Sequence, residues 1–226
     1  MASAREMKLI DGREMPAYRV AEAAHYLGLP RSTVRYWSAG RGSYESLITA
    51  AAEVPLVLSF LNLVELHLLA AIRRRHTVSM PNVRSAISYL SDRYGSNHPL
   101  LVKELETDGL DIFIRNYGQL INISQDGQMA MRHVMEQALR RIERDKSNIP
   151  VKLYPFTRAQ IDNAPALIVI DPALSGGRPV IAGTGLATEI IAERYKAGES
   201  IHALAEDYGR DFTEIEEAIR CELQAA

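Results

Sequence analysis

Between Tyr18 and Trp37 the chain reads YRVAEAAHYLGLPRSTVRYW. Val20, Ala23, Ala24 and Leu27 fall on one stripe at helical spacing. Gly28 ends that helix, because glycine accepts the left-handed conformation found just past a helix C-terminus. Pro30 stands where a second helix starts, a position at which its missing N–H costs little. Val34 and Trp37, three residues apart, give the second helix a packing edge and leave Arg31, Ser32, Thr33, Arg35 and Tyr36 for its other faces. Two short helices joined by so tight a turn match the helix-turn-helix pattern.

Such an arrangement can lay its second helix in the DNA major groove, with the first residues of that helix on base edges. Arg31 would offer a bidentate donor to guanine O6/N7 or to a phosphate. Ser32 and Thr33 carry short hydroxyls able to reach either, and Arg35 and Tyr36 would bracket the backbone. Gly40 and Gly42 then break the chain, and Ser43 to Ala50 is short enough for a strand or wing, which would set Arg41 and Tyr44 against flanking phosphates. A plain helical hairpin with solvated arginines has the same spacing. The net charge of −2, from 26 Lys and Arg against 28 Asp and Glu, argues only weakly against DNA because it averages two unlike regions. Residues 1–156 hold 20 basic and 16 acidic residues, whereas 157–226 hold 6 basic and 12 acidic.

Downstream, Ser59 to Arg75 reads as a long helix, and the stretch VSMPNVRSAISYLSDRYG as another that stops at Gly95. The apolar runs Ile112–Arg115 and Leu120–Ile123, set around Tyr117 and Gly118, suggest a β-hairpin. Gln128 to Arg144 has helical periodicity with a basic face at Arg132, Arg140, Arg141 and Arg144. IPVKLYPF and ALIVID are strand candidates. Three short helices close the chain, Thr188–Ala197, Ser200–Tyr208 and Thr213–Glu222, the last with Thr213 and Glu216 spaced as a capping box. The expected fold is mainly α with minor β. It comprises a winged helix-turn-helix region over 1–95, a central hairpin-plus-helix region over 96–156 and a C-terminal three-helix domain over 157–226.

YRVAEAAHYLGLPRSTVRYW resembles the start of MerR-like winged-helix regulators, whose pattern is an aliphatic-Ala first helix, Leu-Gly, then Ser/Thr-x-Arg-Tyr-aromatic. Pro30 takes the place of the family's Ser/Thr helix cap. At the other end, Asp171-Pro172, Gly176-Gly177-Arg178-Pro179-Val180-Ile181, Gly183-Thr184, Ala197-Gly198-Glu199-Ser200-Ile201 and Glu206-Asp207-Tyr208 resemble a small helical domain of unknown function often described as a VapB-type antitoxin. Gly185-Leu186-Ala187 departs from the Arg-Ile-Pro common there. The two resemblances together imply an antitoxin that represses its own operon and neutralises a PIN-like ribonuclease toxin. Its expected partners are operator DNA, the cognate toxin and a second copy of the chain. A stand-alone MerR-like regulator responding to a small ligand is the alternative.

Other classes find less support. Gly176, Gly177, Gly183 and Gly185 lack the Gly-Lys-Ser/Thr sequel that a phosphate loop requires. The six histidines show no metal-ligand spacing, and the single cysteine, Cys221, lies near no histidine. Neither an enzyme nor a cofactor or metal is therefore expected. No apolar run is long enough for a membrane span and the first residues mix acids with bases, so a cytoplasmic protein is expected.

Overall fold

The computed structural model describes residues 11–42, 44–73, 80–102, 110, 114, 125–158, 160–162 and 164–223. The molecule is mainly α with two small antiparallel sheets among these residues. Strand β1 (Tyr18–Arg19) leads directly into α1 (Val20–Tyr26), and after the turn at 27–30 the chain enters α2 (Arg31–Ala39). Pro30 is the N-cap of α2 and contributes no side-chain hydrogen bond, yet the helix still begins at Arg31. Val34 and Trp37 face inward, with 0% and 1% of their surface exposed.

The strands beside this helix pair lie later than the sequence suggests. Residues 44–50 form no strand. Arg41 and Tyr44 make an isolated bridge, and the hairpin is β2 (Ala52–Glu53) with β3 (Leu56–Leu58). Strand β3 is central and pairs with both β1 and β2. The loop before it is pinned by Gly40, where φ is +72° and a Cβ would collide with the Tyr44 carbonyl oxygen. Leu47 and Ile48 then fold back to donate their N–H groups to the Trp37 carbonyl.

Helix α3 (Phe60–Arg73) is buried from Phe60 through Ile72, so it runs through the core rather than along the surface. Helix α4 (Met80–Tyr94), a short 3-10 turn at Pro99–Leu101 and α5 (Gln125–Leu139) surround it. The central hairpin expected over 112–123 falls almost entirely outside the described residues. Leu110 and Ile114, the two positions described between 103 and 124, are helical and buried.

The helix expected over Gln128–Arg144 ends at Leu139. Ile142–Arg144 is strand β4, which turns at Asp145–Asn148 into β5 (Pro150–Leu153). Asp145 Oδ1 accepts from the Ser147 and Ile149 N–H groups, and Asn148 sits at φ 63°, a turn chemistry strong enough to override the 3.6-residue pattern. Arg140, Arg141 and Arg144 thus share no helix face. Arg141 is buried, stacks 4.8 Å from the Phe156 ring and donates to the carbonyls of Ala164 and Pro165.

Strands β6 (Ile168–Ile170) and β7 (Pro179–Ile181) extend this sheet in the order β4-β5-β6-β7, so hydrogen bonding continues across residue 156. Helices α6 (Thr188–Lys196), α7 (Ile201–Tyr208) and α8 (Phe212–Leu223) pack Ile191, Leu204, Ile215, Ala218 and Ile219 against Ile168 and Ile181 in a second, smaller core. The cap of α8 is Asp211 with Glu214 rather than Thr213 with Glu216. The Asp211 carboxylate accepts from the Thr213 N–H at 2.8 Å, and Glu214 accepts from the Asp211 N–H at 3.0 Å.

Candidate nucleic-acid interface

Arg31 and Arg35 are one helical turn apart on α2, and both are exposed along with Ser32. Thr33 and Tyr36 lie half-buried on the shoulders of that stripe, while Arg41 and Tyr44 are exposed in the following loop. Tyr44 is 56% exposed. Among the described residues, none of Arg31, Arg35 and Arg41 forms an ion pair. The helix supplies its own donors too, since no side chain caps its N-terminus.

One member of this face was not apparent from the sequence. Arg84 of α4 lies with its guanidinium carbon 5.8 Å from the Tyr36 ring centre and 5.7 Å from that of Tyr44. It donates from Nη2 to the Tyr36 hydroxyl at 3.1 Å and from Nη1 to the Glu45 carbonyl. Tyr36 and Tyr44, predicted as independent contacts, are therefore joined by a third residue. The separation of 48 positions between Arg84 and Tyr36 leaves no local signal for it.

The C-terminal helices have a different electrostatic character. Arg178 pairs with Glu189, Arg194 with Glu199 and Asp207, Arg210 with Glu214, and Arg220 with Glu216. Glu217 is fully buried, and burial would raise its carboxyl. Hydrogen bonds from Arg158 and Thr157 outweigh that and hold it below the ordinary carboxylate range. Burial pushes the Cys221 thiol well above its ordinary value, which leaves it unreactive.

The two ends meet through β1 and α1. The Tyr18 hydroxyl donates to the Gly177 carbonyl at 3.0 Å, and His25 Nε2 lies 3.0 Å from Glu222 Oε2. A cleft of about 260 Å³ lies along this seam, lined by Glu22, His25, Tyr26, Arg178, Thr188 and Glu222 among others. His98 and His133 also face carboxylates, Glu65 at 2.9 Å and Asp162 at 2.7 Å. Among the described residues no group of His, Cys, Asp or Glu is arranged to hold a metal, and no helix is long and apolar enough to cross a membrane.

Fold and surface thus define a mainly α protein with a cation-bearing pair of short helices, α1 and α2, near its start and a charge-paired helical unit near its end. Residues 168–220 match the family model described as "Protein of unknown function (DUF433)", which begins at β6 and ends within α8. Two proteins of Mycobacterium tuberculosis (strain ATCC 25618 / H37Rv) align with almost the whole chain. One, named "Putative antitoxin VapB45", is 26% identical over 246 residues, covering 97% of this chain and 98% of its own. The other, "Uncharacterized protein Rv2308", is 28% identical over 227 residues, covering 95% and 93%. The X-ray crystal structure of Rv2018 from Mycobacterium tuberculosis has a TM-score of 0.70 to this chain at 25% identity, covering 91% of this chain and 98% of that one.

Proposed function

We propose that this chain is a DNA-binding antitoxin that represses its own operon and neutralises a PIN-like ribonuclease toxin by direct binding. The observation that carries the antitoxin reading is similarity along nearly the full length to the protein named "Putative antitoxin VapB45". The DNA-binding part rests on α2, which presents Arg31 and Arg35 without carboxylate partners among the described residues beside the β2–β3 hairpin. In this reading α1, α2 and the hairpin form a winged helix-turn-helix of the MerR-like kind, working as a homodimer on two half-sites in the cytoplasm. The acidic C-terminal helices serve protein contact, and the chain performs no catalysis.

The test has two arms. Co-expression with the neighbouring reading frame, followed by purification through either partner, should yield a complex, and the complex should suppress the partner's ribonuclease activity. A gel shift on the chain's own promoter should show a retarded species that dissociates as salt rises. A neighbour that neither binds nor cleaves RNA removes the antitoxin function, and an unshifted promoter removes the repressor function. A second reading, a stand-alone regulator of MerR-like type, is favoured by one observation. A cavity of about 180 Å³ among Leu61, His98, Leu101, Ile149 and Pro150 could hold a small ligand. Release of the operator by a small molecule, with no protein partner, would select it.

A further inference from the structure

We propose that Arg84 is a DNA phosphate contact supplied from outside the helix-turn-helix, with Tyr36 and Tyr44 as its mount; the proposal rests on the DNA-binding reading above. A guanidinium carries five N–H donors in a rigid plane. Arg84 spends one on the Tyr36 hydroxyl and one on the Glu45 carbonyl, and meets no carboxylate among the described residues. Both acceptors are neutral, so they orient the group and leave its charge intact. Three donors stay open among the described residues.

The mount also fixes location. Tyr36 belongs to α2, one position after Arg35, and Tyr44 follows the bridge residue Arg41. Stacking near two aromatic rings restrains a side chain that otherwise loses rotamer entropy on binding. A purely structural clamp between α4 and α2 would need no uncompensated cation. The C-terminal unit illustrates the contrast, because Arg178, Arg194, Arg210 and Arg220 all meet carboxylates. Arg31, Arg35, Arg41 and Arg84 instead meet no carboxylate among the described residues, and Arg84 is mounted on the helix that carries Arg31 and Arg35, a placement suited to the phosphates flanking a groove.

The deciding measurement is affinity of the full chain for its promoter duplex and for a scrambled duplex of equal length, across a salt series. Loss of one phosphate contact weakens both duplexes by a similar factor, about tenfold at low salt, and lowers the slope of log affinity against log salt by roughly one. Arg84→Ala should do both. Arg84→Lys should keep most of the slope and part of the affinity, since an ammonium retains the charge without the fork. Thermal melts accompany each variant. Where Arg84→Ala melts below the assay temperature, Arg84→Gln, which drops the charge but can still hydrogen-bond, carries the comparison. An unchanged salt slope in Arg84→Ala and Arg84→Gln, with Arg31→Ala lowering it, overturns the phosphate contact and leaves the DNA-binding reading intact. Weakening of the promoter duplex alone overturns it in favour of base selection. A wild-type chain that binds neither duplex overturns both.

Discussion

Arg31 and Arg35 share one exposed stripe of α2, so their loss is additive only if they touch separate groups. Each Ala substitution is expected to weaken promoter binding by about 1–3 kcal/mol if its guanidinium reads a base, and to relax sequence preference as well. Parallel weakening on scrambled DNA would reassign the residue to phosphate, and no change in either variant would remove α2 from the groove. Glu65 makes a different prediction. It is fully buried on α3, with Oε2 2.9 Å from His98 Nδ1 and 3.3 Å from the Asn62 amide nitrogen, while Oε1 has no hydrogen-bond partner among the described residues. Burial raises the Glu65 carboxyl above its ordinary range against the pull of His98 and Asn62. Burial alone would lower His98, but its hydrogen bond to Glu65 and the nearby negative charge raise it. Both groups hold a proton more tightly folded than unfolded. Their contribution is therefore complete below the unfolded values, about 4.3 for Glu and 6.5 for His, and is lost as pH rises through the folded ones. Urea midpoints should fall between pH 5 and pH 8, and Glu65→Gln should flatten that fall. A wild type and variant with parallel pH profiles would clear this pair of responsibility.

Sequence signals located elements well where the chemistry was local. Gly28 and Pro30 bound the turn between α1 and α2 because a left-handed glycine and a first-turn proline act within a few residues. The ends of α6 and α7 were legible for the same reason, with Ser200 accepting from the Ala203 N–H at the start of α7. The β4–β5 hairpin was missed although its turn residues, Asp145 to Asn148, are plain in the sequence. Met131, Val134, Ala138 and Ile142 continue a helical stripe into it, and Ile142 is buried either way. The strand expected over 43–50 was placed too early, since Gly40 and Gly42 mark a break without saying how far beyond it pairing resumes at β2 and β3. Arg84 and the histidine–carboxylate pairs were out of reach, because they join positions 29 to 197 apart in sequence. The cap of α8 offers a direct check on a local misreading. Asp211 accepts from both the N–H and the hydroxyl of Thr213, and Glu216 is engaged with Arg220 instead. Asp211→Ala should therefore lower the thermal midpoint more than Glu216→Ala, which removes only a surface pair. The reverse ranking would restore the Thr213–Glu216 box.

At the scale of the molecule the question is whether front and back unfold together. The second core is small, eight buried residues from Ile168 to Cys221, and a segment of some 50 residues buries too little of its surface to be robust alone. Three connections anchor it to the rest. Strand β6 pairs with β5, so the sheet itself spans the two regions. Glu217 of α8, with no exposure, is held by Thr157 and Arg158 from the segment after β5. Separation of the two regions would take both partners away and leave that carboxylate only the Arg220 guanidinium, 3.5 Å off on its own helix, so parting them is costly. The third connection is made by β1 and α1, through Tyr18 to Gly177 and His25 to Glu222. A Cβ at Gly177 would collide with the Tyr18 hydroxyl, which shows how closely the two backbones approach. These ties predict one cooperative transition. Trp37, the single tryptophan, is buried on α2 and reports only that end by fluorescence, whereas far-UV circular dichroism reports helices throughout. The two denaturation curves should coincide in urea. Arg158→Ala should shift both to lower urea together, because the loss is felt by the whole structure and not by α8 alone. A dichroism curve that breaks before the Trp37 signal would show that the C-terminal unit unfolds first. In that case α1 would be exposed while α2 stayed folded, and the seam between α1 and the C-terminal unit would be a hinge rather than a fixed joint.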